Sequence, residues 1–274
     1  MIQLQIETTT TCQAACGFCP YTTAKRWGTL MPMGLYERIV TEAATKPTIT
    51  RLTLNGIGEP LLDPHLVARL KFARALRPDW LIYFHTNGFT LTPATFHKLA
   101  DAGLSHLSIS LNAVDAGQHE RAMGVKGKYD TVVKNIEYAI ANKPVGMRIE
   151  VTAVADFKEF TFDNARAFLK RWGDFRMDGH GKCIYIGNWS GDVESSRKFV
   201  PNECCVRATT QIYVMADGRV STCCFDPTGK QIFGDLRTQT LSEVYSDPVY
   251  VQFREDHAYD RADKYEQCKG CTRI

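Results

Sequence analysis

Cys12-Gln13-Ala14-Ala15-Cys16-Gly17-Phe18-Cys19 is the stretch on which the reading of this chain turns. It places three thiols within eight residues, directly after Gln3–Thr8, a segment that alternates apolar and polar side chains as a strand does. A loop leaving such a strand can wrap around one metal centre. A structural zinc or an electron-carrying cluster normally takes four protein ligands. A loop offering only Cys12, Cys16 and Cys19 therefore predicts an iron with one position left for another molecule. The competing reading is a zinc knuckle that borrows a distant fourth ligand.

Outward from that loop, residues 1 to about 187 alternate short β-branched or aromatic runs with amphipathic stretches of helical length. The strands expected are Gln3–Thr8, Arg51–Asn55, Leu81–Thr86, His106–Leu111, Arg148–Val154 and Cys183–Ile186. The helices expected between them are Gly34–Ala44, His65–Ala75, Pro93–Ala102, Tyr129–Asn142 and Phe162–Trp172. Six such units predict an α/β fold, either an incomplete barrel or a doubly wound sheet. After Ile186 the loop residues Gly187-Asn188-Trp189-Ser190-Gly191-Asp192 mark a boundary. The expected division is a domain over 1–187, a linker over 188–203 and a small α+β domain over 204–274. In the last, Gln211–Met215 and Arg219–Thr222 flank the turn signal Ala216-Asp217-Gly218, and Leu241–Ser246 reads as a short helix.

The 274 residues are 44% hydrophobic and 23% charged, which are globular values, and no apolar run approaches the roughly 18 residues of a membrane span. The N-terminus shows no basic segment followed by an apolar one, so a cytoplasmic address is expected. The net charge of +3 comes from scattered pairs such as Lys25 and Arg26, which implies neither nucleic acid nor a membrane surface as partner. Ten cysteines in a reducing compartment read as metal ligands sooner than as disulfides. Beyond the first three they fall as Cys183 alone, the pairs Cys204–Cys205 and Cys223–Cys224, and Cys268 with Cys271.

The C-x3-C-x2-C spacing, with Phe18 just before the last cysteine, resembles the signature of the radical S-adenosylmethionine superfamily. The resemblance implies a partial (β/α)6 barrel and a [4Fe-4S] cluster on Cys12, Cys16 and Cys19. It also implies S-adenosylmethionine chelating the fourth iron, and a 5′-deoxyadenosyl radical that takes a hydrogen atom from the substrate. Gly56-Ile57-Gly58-Glu59-Pro60 is similar to the family's Gly-Gly-Glu-Pro segment, which holds the cofactor's amino group, with Ile57 in place of the first glycine. A dinucleotide reading of these glycines fails, because Pro60 and Leu61 stand where the third glycine belongs. Thr86-Asn87-Gly88 is similar to the family's Thr-Asn-Gly, and Ser110 and Asn112 are implied to reach the cofactor's ribose or carboxylate. Arg148 and Glu150 on the fifth strand are further candidates for facing the cofactor, against the alternative of a solvated or paired charge. Taken singly these are strand-end turn residues, but they follow strands one to four in order and so share one mouth.

Cys205-x12-Gly218-x4-Cys223 with Cys268-x2-Cys271 resembles the SPASM extension in its shortened twitch form, whose four ligands close one auxiliary [4Fe-4S] cluster. No further cysteine follows Cys271, so two clusters in all are expected; a structural zinc is the alternative. Ile232–Leu236 with Leu241–Tyr245 is similar to the small helix and turn of such domains. Cys183, Cys204 and Cys224 are spare, and Cys204 or Cys224 is a candidate alternative ligand or hydrogen-atom donor. A cluster closed by protein suits electron transfer, which favours oxidation, and the cysteine layout, similar to that of radical aminocyclitol dehydrogenases, implies a small hydroxylated sugar or aminocyclitol as the substrate. Epimerisation, peptide maturation and a non-enzymatic metal-binding module are the alternatives, the peptide reading weakened because the chain enters its first strand at once. Asn188 and Trp189 stand where barrel and extension meet, as substrate contacts or as interdomain packing. A flavodoxin- or ferredoxin-type donor is the expected electron partner.

Overall fold

The computed structural model describes residues 1–155, 159–185, 187–193, 205–269 and 271–272. Its strands are β1 (Ile2–Ile6), β2 (Ile49–Thr53), β3 (Leu81–Thr86), β4 (His106–Ser110), β5 (Arg148–Val154), β6 (Gly181–Ile184), β7 (Gln211–Val214), β8 (Arg219–Ser221) and β9 (Ile232–Asp235). Between them lie α1 (Tyr21–Ala24), α2 (Met33–Ala44), α3 (Leu66–Leu76), α4 (Pro93–Asp101), α5 (Ala116–Met123), α6 (Tyr129–Asn142) and α7 (Phe162–Trp172), then α8 (Val206–Thr210), α9 (Leu241–Ser246) and α10 (Pro248–Ala258).

All nine strands form one sheet in the order β6-β5-β4-β3-β2-β1-β7-β8-β9. From β1 to β6 the order follows the chain and every pairing is parallel. A doubly wound sheet reverses its order partway, so this monotonic order selects the partial barrel. The C-terminal hairpin joins the same sheet: β7 pairs in parallel with β1, and β8 and β9 continue antiparallel from it. Ile232–Asp235, read from sequence as part of a small helix and turn, is the strand β9.

Alternation along the strands sorts the two faces. Leu4, Ile6, Leu52, Ile82, Phe84, Leu107, Ile109, Ile149 and Val151 pack outward against Tyr36, Val40, Leu70, Phe96, Leu99, Val132, Ile136 and Phe168 of the helices, all buried. Each such side chain contributes about 1.5–3 kcal/mol on burial. The opposite face carries Gln3, Gln5, Tyr83, His85, Ser108, Glu150 and Thr152, and the Tyr83 hydroxyl reaches Gln3 Oε1 at 3.0 Å across the intervening β2. Inner polar side chains thus meet over a concave lumen. Helix starts follow local chemistry: Thr92 precedes Pro93 and caps α4, Thr161 and Asn164 form a capping box on α7, and Thr240 and Glu243 form one on α9.

Candidate active site at the barrel mouth

Past Ile6 the chain leaves the sheet, and residues 8–10 turn back on residues 29–31. Thr10 N donates to Thr29 O at 2.9 Å and Met31 N to Thr8 O at 2.9 Å, which closes the intervening cysteine segment into a loop. Its floor is the C-terminal end of α5, where Ala15 N reaches Met123 O and Gly17 N reaches Ala122 O at 3.0 and 3.1 Å. Gly124, with φ 66°, ends α5 at this contact; a Cβ there would lie 2.4 Å from Ala15 O. Inside the loop Ala14 N approaches Cys12 Sγ at 3.4 Å, and Cys12 N donates to the Tyr21 hydroxyl at 3.0 Å.

The three thiols are half-buried and feel one another. Burial pushes Cys12 up to about 11 and Cys19 up to about 12, with Cys12 contributing to the rise at Cys19; Cys16 is driven well above the usual thiol range by burial and then by Cys19 and Cys12. Ligation by iron would replace those protons, because a metal binds the thiolate. Among the described residues no three His, Cys, Asp or Glu side chains close around a single ion. The thiols of a cubane bind different irons and so stand further apart than the ligands of one zinc.

The loop after β2 sits against this segment. Gly58 packs so tightly that a Cβ would lie 2.2 Å from Thr9 O, and Glu59 N donates to Thr11 O at 2.8 Å. A Cβ on Gly56 would meet Glu7 Cγ at 2.3 Å. The demand for glycine therefore falls at 56 and 58, while Ile57 is buried and its N–H is held by Glu7. Pro60 follows at the first position of a short 3₁₀ turn. The Glu59 carboxylate is buried and accepts from Leu61 N at 3.0 Å, Thr86 Oγ1 at 2.6 Å and Asn87 N at 2.8 Å. Burial raises its pKa, and those three donors oppose the rise. Asn87 in turn accepts from Gln13 Nε2 at 3.4 Å and lies 4.0 Å from Cys12 Sγ. Gly56, Gly58, Glu59, Pro60, Thr86 and Asn87 are thus brought together on the cysteine loop.

Asn112 adopts φ 56°, its Oδ1 accepting from Val154 N at 3.0 Å and its amide reaching Met123 Sδ at 3.2 Å. Ser110 lies beside Thr152, whose hydroxyl approaches it at 3.4 Å. Both stand at the strand ends that carry the cysteine loop. Arg148 does not. It begins β5 at the other end of the sheet, is exposed, and lays its guanidinium over Phe175 at 4.3 Å.

Of the second cysteine group, Cys205 precedes α8, Cys223 and Cys224 follow β8, and Cys268 and Cys271 follow α10. Cys223 is raised well above its ordinary value by burial and then by Cys224, Cys205 and Cys268. Cys268, pushed up to about 12, responds to burial and then to Cys205 and Cys271. Cys205, Cys223, Cys268 and Cys271 are thus linked electrostatically, with Phe225 N on Cys223 Sγ at 3.4 Å and His257 Nε2 3.3 Å from Cys268 Sγ. Cys224 Sγ accepts from Arg207 Nη1 at 3.3 Å, Cys183 sits half-buried on β6, and Cys204 lies outside the described residues.

Between the two groups stands Trp189. Its indole N–H donates to Phe18 O at 2.9 Å and its ring stacks on Phe225 with centroids 4.5 Å apart. Trp189 and Ser190 both adopt left-handed backbone, at φ 50° and 56°, a strain of about 1 kcal/mol or more each that these contacts hold in place. Asn188 exchanges two bonds with Thr272, next to Cys271, at 2.9 and 3.1 Å. Both residues therefore dock the C-terminal segment on the barrel.

Apart from Glu150, sequence reasoning missed the lumen. His85, Ser108 and Glu150 occupy one row across β3, β4 and β5. Glu150 accepts from Ser108 Oγ and Lys182 Nζ at 3.1 Å each. Burial pushes the neighbouring His85 down to about 4, partly offset by Glu150 and reinforced by His106, Lys182 and Arg207, so its imidazole is neutral.

Against known families, residues 6–155 match the model of the radical SAM superfamily, and residues 204–272 match the SPASM model, an iron–sulfur cluster-binding domain. The chain belongs to the radical SAM superfamily. It is similar to the S-adenosyl-L-methionine-dependent 2-deoxy-scyllo-inosamine dehydrogenase of Niallia circulans, at 20% identity over 99% of this chain and 92% of that one. It is also similar to the GTP 3′,8-cyclase of Aliarcobacter butzleri, at 26% identity over 78% of this chain and 69% of that enzyme. Among solved structures, BtrN in complex with AdoMet and 2-DOIA superposes with a TM-score of 0.73 at 18% identity, covering 100% of this chain and 94% of BtrN. Streptococcus suis SuiB bound to precursor peptide SuiA gives 0.65 at 20% identity, over 92% of this chain and 66% of SuiB. These likenesses establish the radical SAM fold with its C-terminal SPASM segment. No helix among the described residues is long and apolar enough to cross a membrane.

Proposed function

We propose that this radical SAM enzyme is an oxidoreductase that removes two hydrogens from a small hydroxylated substrate, a sugar or aminocyclitol, using two [4Fe-4S] clusters. The observation that carries the reading is the pair of thiol groups, three at the mouth and four on the C-terminal segment, joined through Trp189. Similarity to a dehydrogenase along nearly the whole chain supports the choice of reaction.

In this reading Cys12, Cys16 and Cys19 hold the first cluster, and Cys205, Cys223, Cys268 and Cys271 hold the second. Bound there, the first cluster with S-adenosylmethionine would supply hydrogen-atom abstraction, and the second an acceptor for one electron. Phe18, Gly56, Gly58, Pro60, Ser110 and Asn112 line the cofactor's place, while Glu59 orients Thr86 and Asn87 toward the cysteine loop. Trp189 and Phe225 wall the space between the two groups and exclude water from it. His85, neutral and facing the lumen, is the group placed to take the substrate's hydroxyl proton, with the Glu150 carboxylate across Ser108 in the same row to offset the charge. A one-electron donor of flavodoxin or ferredoxin type feeds the first cluster.

The test is anaerobic reconstitution with iron and sulfide, reduction, and incubation with S-adenosylmethionine and 2-deoxy-scyllo-inosamine beside a panel of sugars and aminocyclitols. About eight irons per chain, 5′-deoxyadenosine, and a product lighter by two hydrogens are expected. A product of unchanged mass carrying solvent deuterium would make the enzyme an epimerase. The thiol of Cys224, held by Arg207 beside the Trp189–Phe225 pair, favours that second reading as its hydrogen donor.

A further inference from the structure

Glu7 stands one residue past β1 and its side chain is completely buried. Its two carboxylate oxygens receive four donors from separate parts of the chain. Ile57 N and the Tyr213 hydroxyl reach Oε1 at 3.0 and 3.3 Å, while Ala216 N and Arg26 Nη2 reach Oε2 at 3.0 and 2.6 Å. Arg26 passes the link onward by donating through Nη1 to Pro227 O at 2.6 Å, three residues beyond Cys224. Gly56 exists in its present form because of this carboxylate, which lies 2.3 Å from where a Cβ would be.

A carboxylate so placed is an odd means of holding strands together. Burying a charged pair rarely stabilises a fold more than apolar packing of the same volume would. What the charge adds is direction: both oxygens are saturated by donors at fixed positions, one from the strand-two loop and three from elsewhere. Tyr213 and Ala216 belong to β7 and its turn, and Pro227 follows the second cysteine pair.

We propose that Glu7 is a positioning residue through which the C-terminal iron–sulfur segment fixes the loop Asn55–Pro60, so that the two halves of the active site are set by one buried carboxylate. The inference rests on the reading that this loop receives S-adenosylmethionine. Removing the charge leaves cluster ligands untouched but lets the loop drift. The effect falls on cofactor affinity before it falls on the chemical step.

The test uses the full, anaerobically reconstituted protein with Glu7→Gln, Arg26→Met and Tyr213→Phe. The readouts are iron content, the change that S-adenosylmethionine makes in the electron paramagnetic resonance spectrum of the reduced cluster, and 5′-deoxyadenosine formation against cofactor concentration without substrate. For Glu7→Gln, iron content should match the wild type, KM for the cofactor should rise about 10-fold with kcat changed much less, and the spectral change should need correspondingly more cofactor. Tyr213→Phe, which removes one of the four donors and leaves Ala216 N in place, should raise KM by about 2- to 3-fold. A folded Glu7→Gln protein with wild-type KM and spectrum overturns the proposal. Should that variant fail to fold, wild-type KM in both Arg26→Met and Tyr213→Phe overturns it instead. A wild-type protein that cleaves no cofactor defeats the reading of the loop and this inference with it, whereas wild-type cleavage with indifferent variants defeats this inference alone.

Discussion

Replacing Gly58 by alanine introduces one methyl group where the nearest atom is backbone. The added carbon would lie 2.2 Å from Thr9 O, 2.8 Å from Thr9 C and 3.0 Å from Thr10 C, against the 3.4 Å of ordinary contact. Loop and strand end must therefore separate by more than 1 Å. No side chain can swing aside to absorb the shift, and Glu59 N, 2.8 Å from Thr11 O, loses its partner as they part. Overpacking of this kind costs about 1–3 kcal/mol and the broken bond about 1 more. For a chain of this size that lowers the melting temperature by roughly 3–7 °C. Displacement of a reacting site by about 1 Å typically costs about 100-fold in rate, so 5′-deoxyadenosine formation should fall by that order. Gly34→Ala is the control, since nothing lies within 4 Å of its added carbon and it sits in the first turn of α2. Its melting temperature should be unchanged or slightly higher. The two variants would be compared by calorimetry and by chromatography of the nucleoside product. If Gly58→Ala melts and turns over as Gly34→Ala does, the tight approach of loop and cysteine segment is wrong.

Cys205→Ala should lower iron by about half and abolish the oxidised product while 5′-deoxyadenosine still forms; loss of both would show that the two thiol groups are not independent. Arg69→Met leaves the Asp63 carboxylate buried without its partner at 2.8 Å, and chemical denaturation should show a loss of about 3–5 kcal/mol, with an unchanged midpoint speaking against the pair. His85 titrates near 6.5 unfolded and near 4 folded, so between those values the unfolded chain binds more protons and stability rises with pH. Acidification from pH 6.5 to 4 should remove up to about 3 kcal/mol, a loss that His85→Asn should reduce; equal acid sensitivity in urea titrations of the two proteins would contradict this. His85→Phe should also leave 5′-deoxyadenosine formation while slowing product formation by about 100-fold or more, and comparing the two products by mass spectrometry decides it.

Strand positions were legible wherever a half-buried pattern survives in the residues, and β3 and β5 fall on the expected spans. β6 was expected two residues late because it begins at Gly181, where a side chain would collide with Gly173 O at 2.9 Å, and a glycine carries no strand signal. α5 went unread because the face it buries includes Gln118 and His119, polar residues that look solvated in sequence. The choice between barrel and doubly wound sheet is a property of long-range pairing, which local periodicity does not contain. The cysteine loop and its glycines were legible because tight turns and ligand spacing are local demands. Apart from Glu150, the lumen was not. His85, Ser108 and Glu150 alternate with apolar neighbours as residues on a wet sheet face do, and only curvature turns that face inward.

The parallel pairing of β1 with β7 bears on how the chain is made. Gln3 leaves the ribosome about two hundred residues before its partner Gln211 does. At 5–20 residues per second that interval is of the order of 10–40 s. Throughout it one flank of β1 offers unclaimed amides and carbonyls, an open template for a neighbouring polypeptide. Newborn copies are therefore exposed to mispairing until the segment around Gln211 emerges, and a fragment stopped at residue 187 would keep that hazard permanently.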